Sequence, residues 1–134
     1  MFKLSKKVEY GLIAVKHMVV KGAEIPCSAK EISDTYKISY DLLSKILQKL
    51  KHEQILTSIQ GIKGGYKLSL NPDEITLASI FNAIEGDMFI LDCGLHDDPE
   101  SCKLYDTCIL SGPLQKIQKS INGYFNTTKI SEIV

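Results

Sequence analysis

Apolar residues recur along the first third of the chain at the spacing of amphipathic helices. Val8, Leu12, Val15 and Val19 share one face of a segment from Leu4 to Val20, and Gly22 follows its end, which predicts a first helix. Ser28-Ala-Lys-Glu31 has the form of a capping box, in which Ser28 and Glu31 each satisfy a free amide, and it opens a short second helix reaching about Tyr36. Lys37-Ile38 makes a tight turn. Ser39 then caps a third helix running to about His52, with Leu42, Leu43, Ile46, Leu47 and Leu50 inward. Two short helices across a brief turn predict a helix-turn-helix.

The period then changes. Ile55 to Gln60 and Tyr66 to Leu70 alternate apolar and polar as half-buried strands do, and Gly61-Ile-Lys-Gly-Gly65 joins them, which predicts a β-hairpin wing with Lys63 at its tip. Asn71-Pro72 closes the wing, and Ile75 to Ile84 reads as another helix, stopped by Gly86. Residues 87 to 109 lose periodicity. Beyond them Leu110, Leu114, Ile117, Ile121 and Tyr124 follow in 4-3-4-3 steps, with Pro113 placed for a first helical turn. So narrow a seam on a terminal helix predicts burial against a second copy in a two-fold dimer; the alternative is packing onto the domain's own core. The expected architecture is mainly α with a small β-hairpin. It comprises a winged helix-turn-helix over residues 1–86, a loop over 87–109, and a dimerisation helix with a C-terminal segment over 110–134.

Charge sharpens this division. Residues 1 to 70 carry twelve lysines against six acids, whereas residues 71 to 134 carry four against ten, so a net charge of zero conceals a basic front and an acidic rear. That split suits a front half facing a polyanion such as double-stranded DNA and a separate sensing region behind it. The chain contains no arginine, so bidentate guanidinium contacts to guanine or phosphate are excluded. The charged start lacks a signal-peptide core, and no run approaches the roughly 18 apolar residues of a membrane span. The expectation is a cytoplasmic protein with no membrane partner.

Three of the four cysteines, Cys93, Cys102 and Cys108, fall in the aperiodic loop among Asp92, Asp97, Asp98, Glu100 and Asp106. Three soft thiolates on one loop form the ligand set of an iron–sulfur cluster or, less favoured, of zinc. His96, inside the loop, is one source of a fourth ligand. Cys27, beside Pro26, reads as a small semi-buried hydrophobe, and His17 and His52 as structural or solvated. No Cys-x-x-Cys and no cofactor-binding glycine motif occurs, so a thiol-redox or electron-transfer enzyme is disfavoured.

Leu4-Ser-Lys-Lys-Val-Glu-Tyr-Gly-Leu12, Ile38-Ser-Tyr-Asp-Leu-Leu-Ser-Lys-Ile-Leu47, Gly61-Ile-Lys-Gly-Gly-Tyr-Lys-Leu68, Ile84-Glu-Gly86 and Lys129-Ile-Ser-Glu-Ile-Val134 together resemble the IscR/NsrR family of bacterial regulators. The resemblance implies a homodimer on a palindromic operator, with the third helix in the major groove and the wing at the minor groove. It further implies a labile iron–sulfur cluster, 2Fe–2S or 4Fe–4S, on the cysteine loop. Glu9 stands where the NsrR branch uses a carboxylate reaching across from the other subunit, which makes it the expected fourth ligand ahead of His96. Two positions depart from the pattern. Gln60 replaces the arginine common before the wing glycine, and Ser111 replaces the fourth-ligand histidine of the IscR branch.

On this reading Ser39, Tyr40, Asp41, Ser44, Lys45, Gln48 and Lys49 are the DNA-facing candidates of the third helix, and Gln60, Gly61, Lys63, Gly64 and Tyr66 those of the wing. Glutamine suits adenine and a carboxylate suits the cytosine amino group, whereas lysines such as Lys6, Lys49, Lys63 and Lys67 suit phosphates. The expected function is a transcription regulator, not an enzyme, acting as a repressor that senses nitric oxide, redox or iron–sulfur status. A zinc-stabilised or cluster-free winged-helix regulator is the alternative.

Overall fold

A computed structural model of the chain describes residues 3–90, 100 and 102–133. Five helices and one hairpin follow in the order α1 (Lys6–Lys21), α2 (Ala29–Tyr36), α3 (Tyr40–His52), β1 (Leu56–Ile59), β2 (Gly65–Leu68), α4 (Leu77–Glu85) and α5 (Ser111–Thr127). This is the mainly helical, winged architecture that the apolar pattern predicts.

Side-chain caps set most of the boundaries. Ser5, Ser28, Ser39 and Thr76 each stand at an N-cap with the hydroxyl accepting from the amide three residues on, satisfying a donor that the helix leaves free. The capping box is only half made. Ser28 Oγ accepts from Glu31 N at 3.0 Å, but the Glu31 carboxylate turns away to Lys21 and His17. Ile75, expected to begin α4, precedes it in extended backbone: its carbonyl accepts from Ile130 N at 2.8 Å, and Thr76 bridges Lys129. The C-terminal segment is thereby stitched to the start of α4, and Ile130 is buried in the core.

That core is formed by Val8, Val15 and Met18 of α1, Ile32 of α2, Leu43, Ile46, Leu47 and Leu50 of α3, and Ile80 and Ile84 of α4. Helix α1 packs on α3 and α4. At the α1–α4 crossing Gly11 leaves no room for a Cβ, which would collide with Ile84 Cδ1. The hairpin pairs Leu56 with Leu68, Thr57 with Lys67, Ser58 with Tyr66 and Ile59 with Gly65, so it is shorter at both outer ends than alternation alone predicts.

Candidate nucleic-acid interface and cysteine loop

The buried residues of α3 define one side of that helix, and the opposite side carries Asp41, Lys45, Gln48 and His52, all exposed. With Ser39 and Tyr40 at the N-terminal end, also exposed, these residues make an open polar face. Two of the expected contacts leave this face, and one expected of the wing turns inward. Lys49 lies on the flank toward α4, and its Nζ donates to the Ile84 carbonyl at 3.0 Å, satisfying an end-of-helix acceptor. Ser44 lies on the other flank with its Oγ buried and without a hydrogen-bond partner. Tyr66, in the wing, is half-buried against the core and bonded through its backbone to Cys27.

The wing loop does what its glycines require. Gly61 adopts φ 111°, in the left-handed region, and Gly64 N–H donates to the Gly61 carbonyl at 3.0 Å. A Cβ on Gly64 would collide with the Ile59 carbonyl. Gln60, Ile62 and Lys63 are exposed around this turn, and Ile62, a residue that sequence reasoning passed over, is wholly exposed at the tip. Among the described residues Lys45 and Lys63 make no ion pair, whereas Lys6 pairs with Glu9 at 2.7 Å and Lys67 with Glu24 at 2.9 Å. Lys45 thus leaves a free cation on the open face of α3, and Lys63 leaves one at the wing tip.

Of the cysteine loop, Cys93 and His96 lie outside the described residues. Cys102 and Cys108 are half-buried free thiols on either side of a 3-10 turn, Tyr105–Thr107, whose Tyr105 N–H donates to the Cys102 carbonyl at 3.1 Å. Helix α5 begins three residues after Cys108 with no side-chain cap. Glu9 lies in the first turn of α1, half-buried, and the neighbouring Lys6 holds it by a surface ion pair that raises the lysine pKa through the hydrogen bond and charge of Glu9. Ser5 Oγ donates to Glu85 Oε1 at 2.6 Å, tying the start of α1 to the end of α4, from which the chain departs toward the loop.

Helix α5 is held to its own domain by Phe125, which stacks on Phe81 with centroids 5.2 Å apart, and by Gln118, which accepts from Ile90 N at 2.6 Å and donates to the Met88 carbonyl at 2.8 Å. Leu114 and Ile121, one turn before Gln118 and Phe125, are half-buried beside them, whereas Leu110, Ile117 and Tyr124 are exposed, and no residue of α5 is fully buried. The domain's own core thus takes one edge of the expected seam and leaves the other open.

A further cluster escaped sequence reasoning. His17 of α1, Cys27 before α2 and Glu31 of α2 bring one ligand atom each within 4.8 Å of one another. Cys27 is fully buried, as a small hydrophobe should be, and burial pushes its thiol pKa up. Lys21 donates to both oxygens of Glu31 at 2.8 Å and thereby holds that carboxyl below its usual range, helped by His17. These residues come from three separate segments, and no spacing announces their meeting.

Residues 4–134 match the Rrf2 family, described as an iron-dependent transcriptional regulator. The chain is 25% identical over 114 residues to the HTH-type transcriptional regulator NsrR of Shouchella clausii, covering 85% of this chain and 76% of that one. It is 24% identical over 132 residues to the HTH-type transcriptional regulator IscR of Aliivibrio salmonicida, covering 98% and 77%. Its fold matches that of CymR, the global cysteine regulator of B. subtilis, with a TM-score of 0.72 and 26% identity over 99% of this chain and 96% of that one. Among the described residues no helix is long and apolar enough to cross a membrane. An open polar helix face and a wing with a free lysine, in a chain that matches these regulators along its length, identify a DNA-binding transcription regulator, not an enzyme, that belongs to the Rrf2 family.

Proposed function

We propose that the protein is a homodimeric repressor whose DNA binding is controlled by an iron–sulfur cluster held by Cys93, Cys102 and Cys108 with Glu9 of the partner subunit. The observation that carries this reading is the pair of unlinked thiols, Cys102 and Cys108, set across one 3-10 turn beside the uncapped start of α5. The donor set fits an iron–sulfur cluster of either nuclearity. A carboxylate is a weaker and more exchangeable iron ligand than a thiolate. Glu9 is half-buried and its carboxylate is held by the surface pair to Lys6, from which it can turn toward another subunit. When bound, the cluster supplies a link between subunits that nitric oxide, oxidants or iron scarcity can break.

The chain's own residues supply the rest. Asp41, Lys45 and Gln48 of α3 read a palindromic operator in the major groove, while Ile62 and Lys63 of the wing lie at the minor groove and its phosphates. The α5 seam joins the copies through Leu110, Leu114, Ile117, Ile121 and Tyr124. Because α1 packs against α3, holding or releasing the Glu9 carboxylate shifts α1 and with it the separation of the two α3 helices, which must match one DNA turn, about 34 Å. Anaerobic purification with iron and sulfide analysis tests the donor set. Coloured protein that loses iron in the Cys102→Ala and Cys108→Ala variants supports it, and colourless protein carrying stoichiometric zinc favours the zinc-stabilised alternative.

A further inference from the structure

We propose that His17, Cys27 and Glu31 form a second metal site, specific for a zinc-class divalent transition metal, at the root of the wing and independent of the cysteine loop. Their ligand atoms already stand within 4.8 Å of one another. A tetrahedral zinc site with one sulfur, one nitrogen and one oxygen ligand needs separations of about 3.3–3.8 Å, so closure requires shifts of about 1 Å. His17 is preset for the role: its Nδ1 lies 2.9 Å from the Tyr36 hydroxyl, and its Nε2 faces Glu31 Oε1 at 3.1 Å. An outer hydrogen bond that fixes the ring and leaves the other nitrogen inward is the usual support of a metal-bound histidine.

The site holds a cation already. Lys21 Nζ sits 2.8 Å from both Glu31 oxygens, in a pair about one-third exposed and on a flexible stem. A divalent ion can displace it without leaving uncompensated charge. Before exchange the cluster holds an ammonium, a carboxylate, a protonated thiol and an imidazole. Afterwards Lys21 has swung into solvent, the thiol proton has passed to water, the His17 Nε2 proton has given way to one on Nδ1 that the Tyr36 hydroxyl accepts, and the ion is balanced by one thiolate and one carboxylate. Water completes the fourth position.

The location gives the site leverage. The Cys27 backbone is joined to Tyr66 of β2 in both directions at 2.8 Å, so the ion would lock α1, α2 and the wing together. Any effect on operator binding rests on the regulator reading; metal binding itself does not.

The test uses full-length protein with Cys93, Cys102 and Cys108 changed to Ser, titrated anaerobically with Co(II) in the absence of DNA. The expected result is one equivalent of tetrahedral Co(II) with a thiolate charge-transfer band, displaced by Zn(II) and lost in Cys27→Ala. Since Cys27 is buried and that variant can fail to fold, His17→Ala and Glu31→Ala serve as independent probes, each weakening Co(II) by at least about tenfold. Lys21→Ala should tighten binding, because it removes the competing cation. No thiolate band, unchanged affinity in the His17 and Glu31 variants, or weaker binding in Lys21→Ala would overturn the proposal.

Discussion

Cys27 and Tyr66 exchange two backbone hydrogen bonds, each 2.8 Å long, across an isolated antiparallel bridge. The segment before α2 thus acts as a third, one-residue strand for the hairpin, and the wing is fixed to the helix-turn-helix by backbone as well as by core packing. Gly65 makes the approach possible. It adopts φ 151°, and a Cβ there would stand 2.5 Å from the Cys27 carbonyl oxygen. Gly65→Ala should therefore destabilise the fold by about 2 kcal/mol or more, since neither backbone can yield cheaply. Urea unfolding checks this, and loss below about 0.5 kcal/mol would show that the bridge is dispensable.

The α1–α4 crossing offers a coupled test. Gly11→Ala places a methyl against Ile84 Cδ1, the far end of a buried side chain, and should cost about 1–3 kcal/mol by overpacking. Ile84→Val removes that terminal carbon. The double variant should be more stable than the sum of the single changes predicts, as urea midpoints would show.

On α3 the flanks and the open face should separate stability from recognition. Gln48→Ala should weaken operator binding by about 1–3 kcal/mol through a lost base contact. Lys63→Ala should weaken operator and random duplex alike and lower the salt slope by about one. Ser44→Ala should instead stabilise the fold by about 1 kcal/mol, because it deletes a buried hydroxyl with no partner, and should leave operator affinity unchanged. Paired urea and fluorescence-anisotropy titrations distinguish the two classes.

The amphipathic helices, the hairpin and its glycine turn were legible because each is written locally, in a period or in a residue that alone tolerates its backbone angle. What escaped depends on meetings between distant segments. Lys49 and Lys45 look alike in sequence, and only the Ile84 carbonyl, 35 residues away, takes Lys49 off the open face. Ile75 fits a helical pattern, yet Ile130 draws it into extended pairing. Glu31 fits a capping box, but Lys21 and His17 claim its carboxylate. The cysteine trio stands together in one loop of the sequence, whereas the meeting of His17, Cys27 and Glu31 has no sequence signature.

The α5 seam should govern assembly without supporting the monomer. Ile117 is 49% exposed in the single chain, so Ile117→Glu should leave the fold intact. In analytical ultracentrifugation it should shift the protein from dimer to monomer. Losing the second half-site should lower operator affinity by about a hundredfold. A dimer that survives this change would move the interface away from the seam.

The proposed link from the cysteine loop through Glu9 and α1 to the α3 helices of a dimer is tested most directly by one titration. Anaerobically purified protein is measured against its operator at fixed salt, before and after nitric oxide, beside the Glu9→Ala variant. Nitric oxide should change wild-type affinity by about 5–150-fold, the usual range of allosteric coupling, and Glu9→Ala should no longer respond. Equal wild-type affinity in both states, or a full response in Glu9→Ala, would contradict the link.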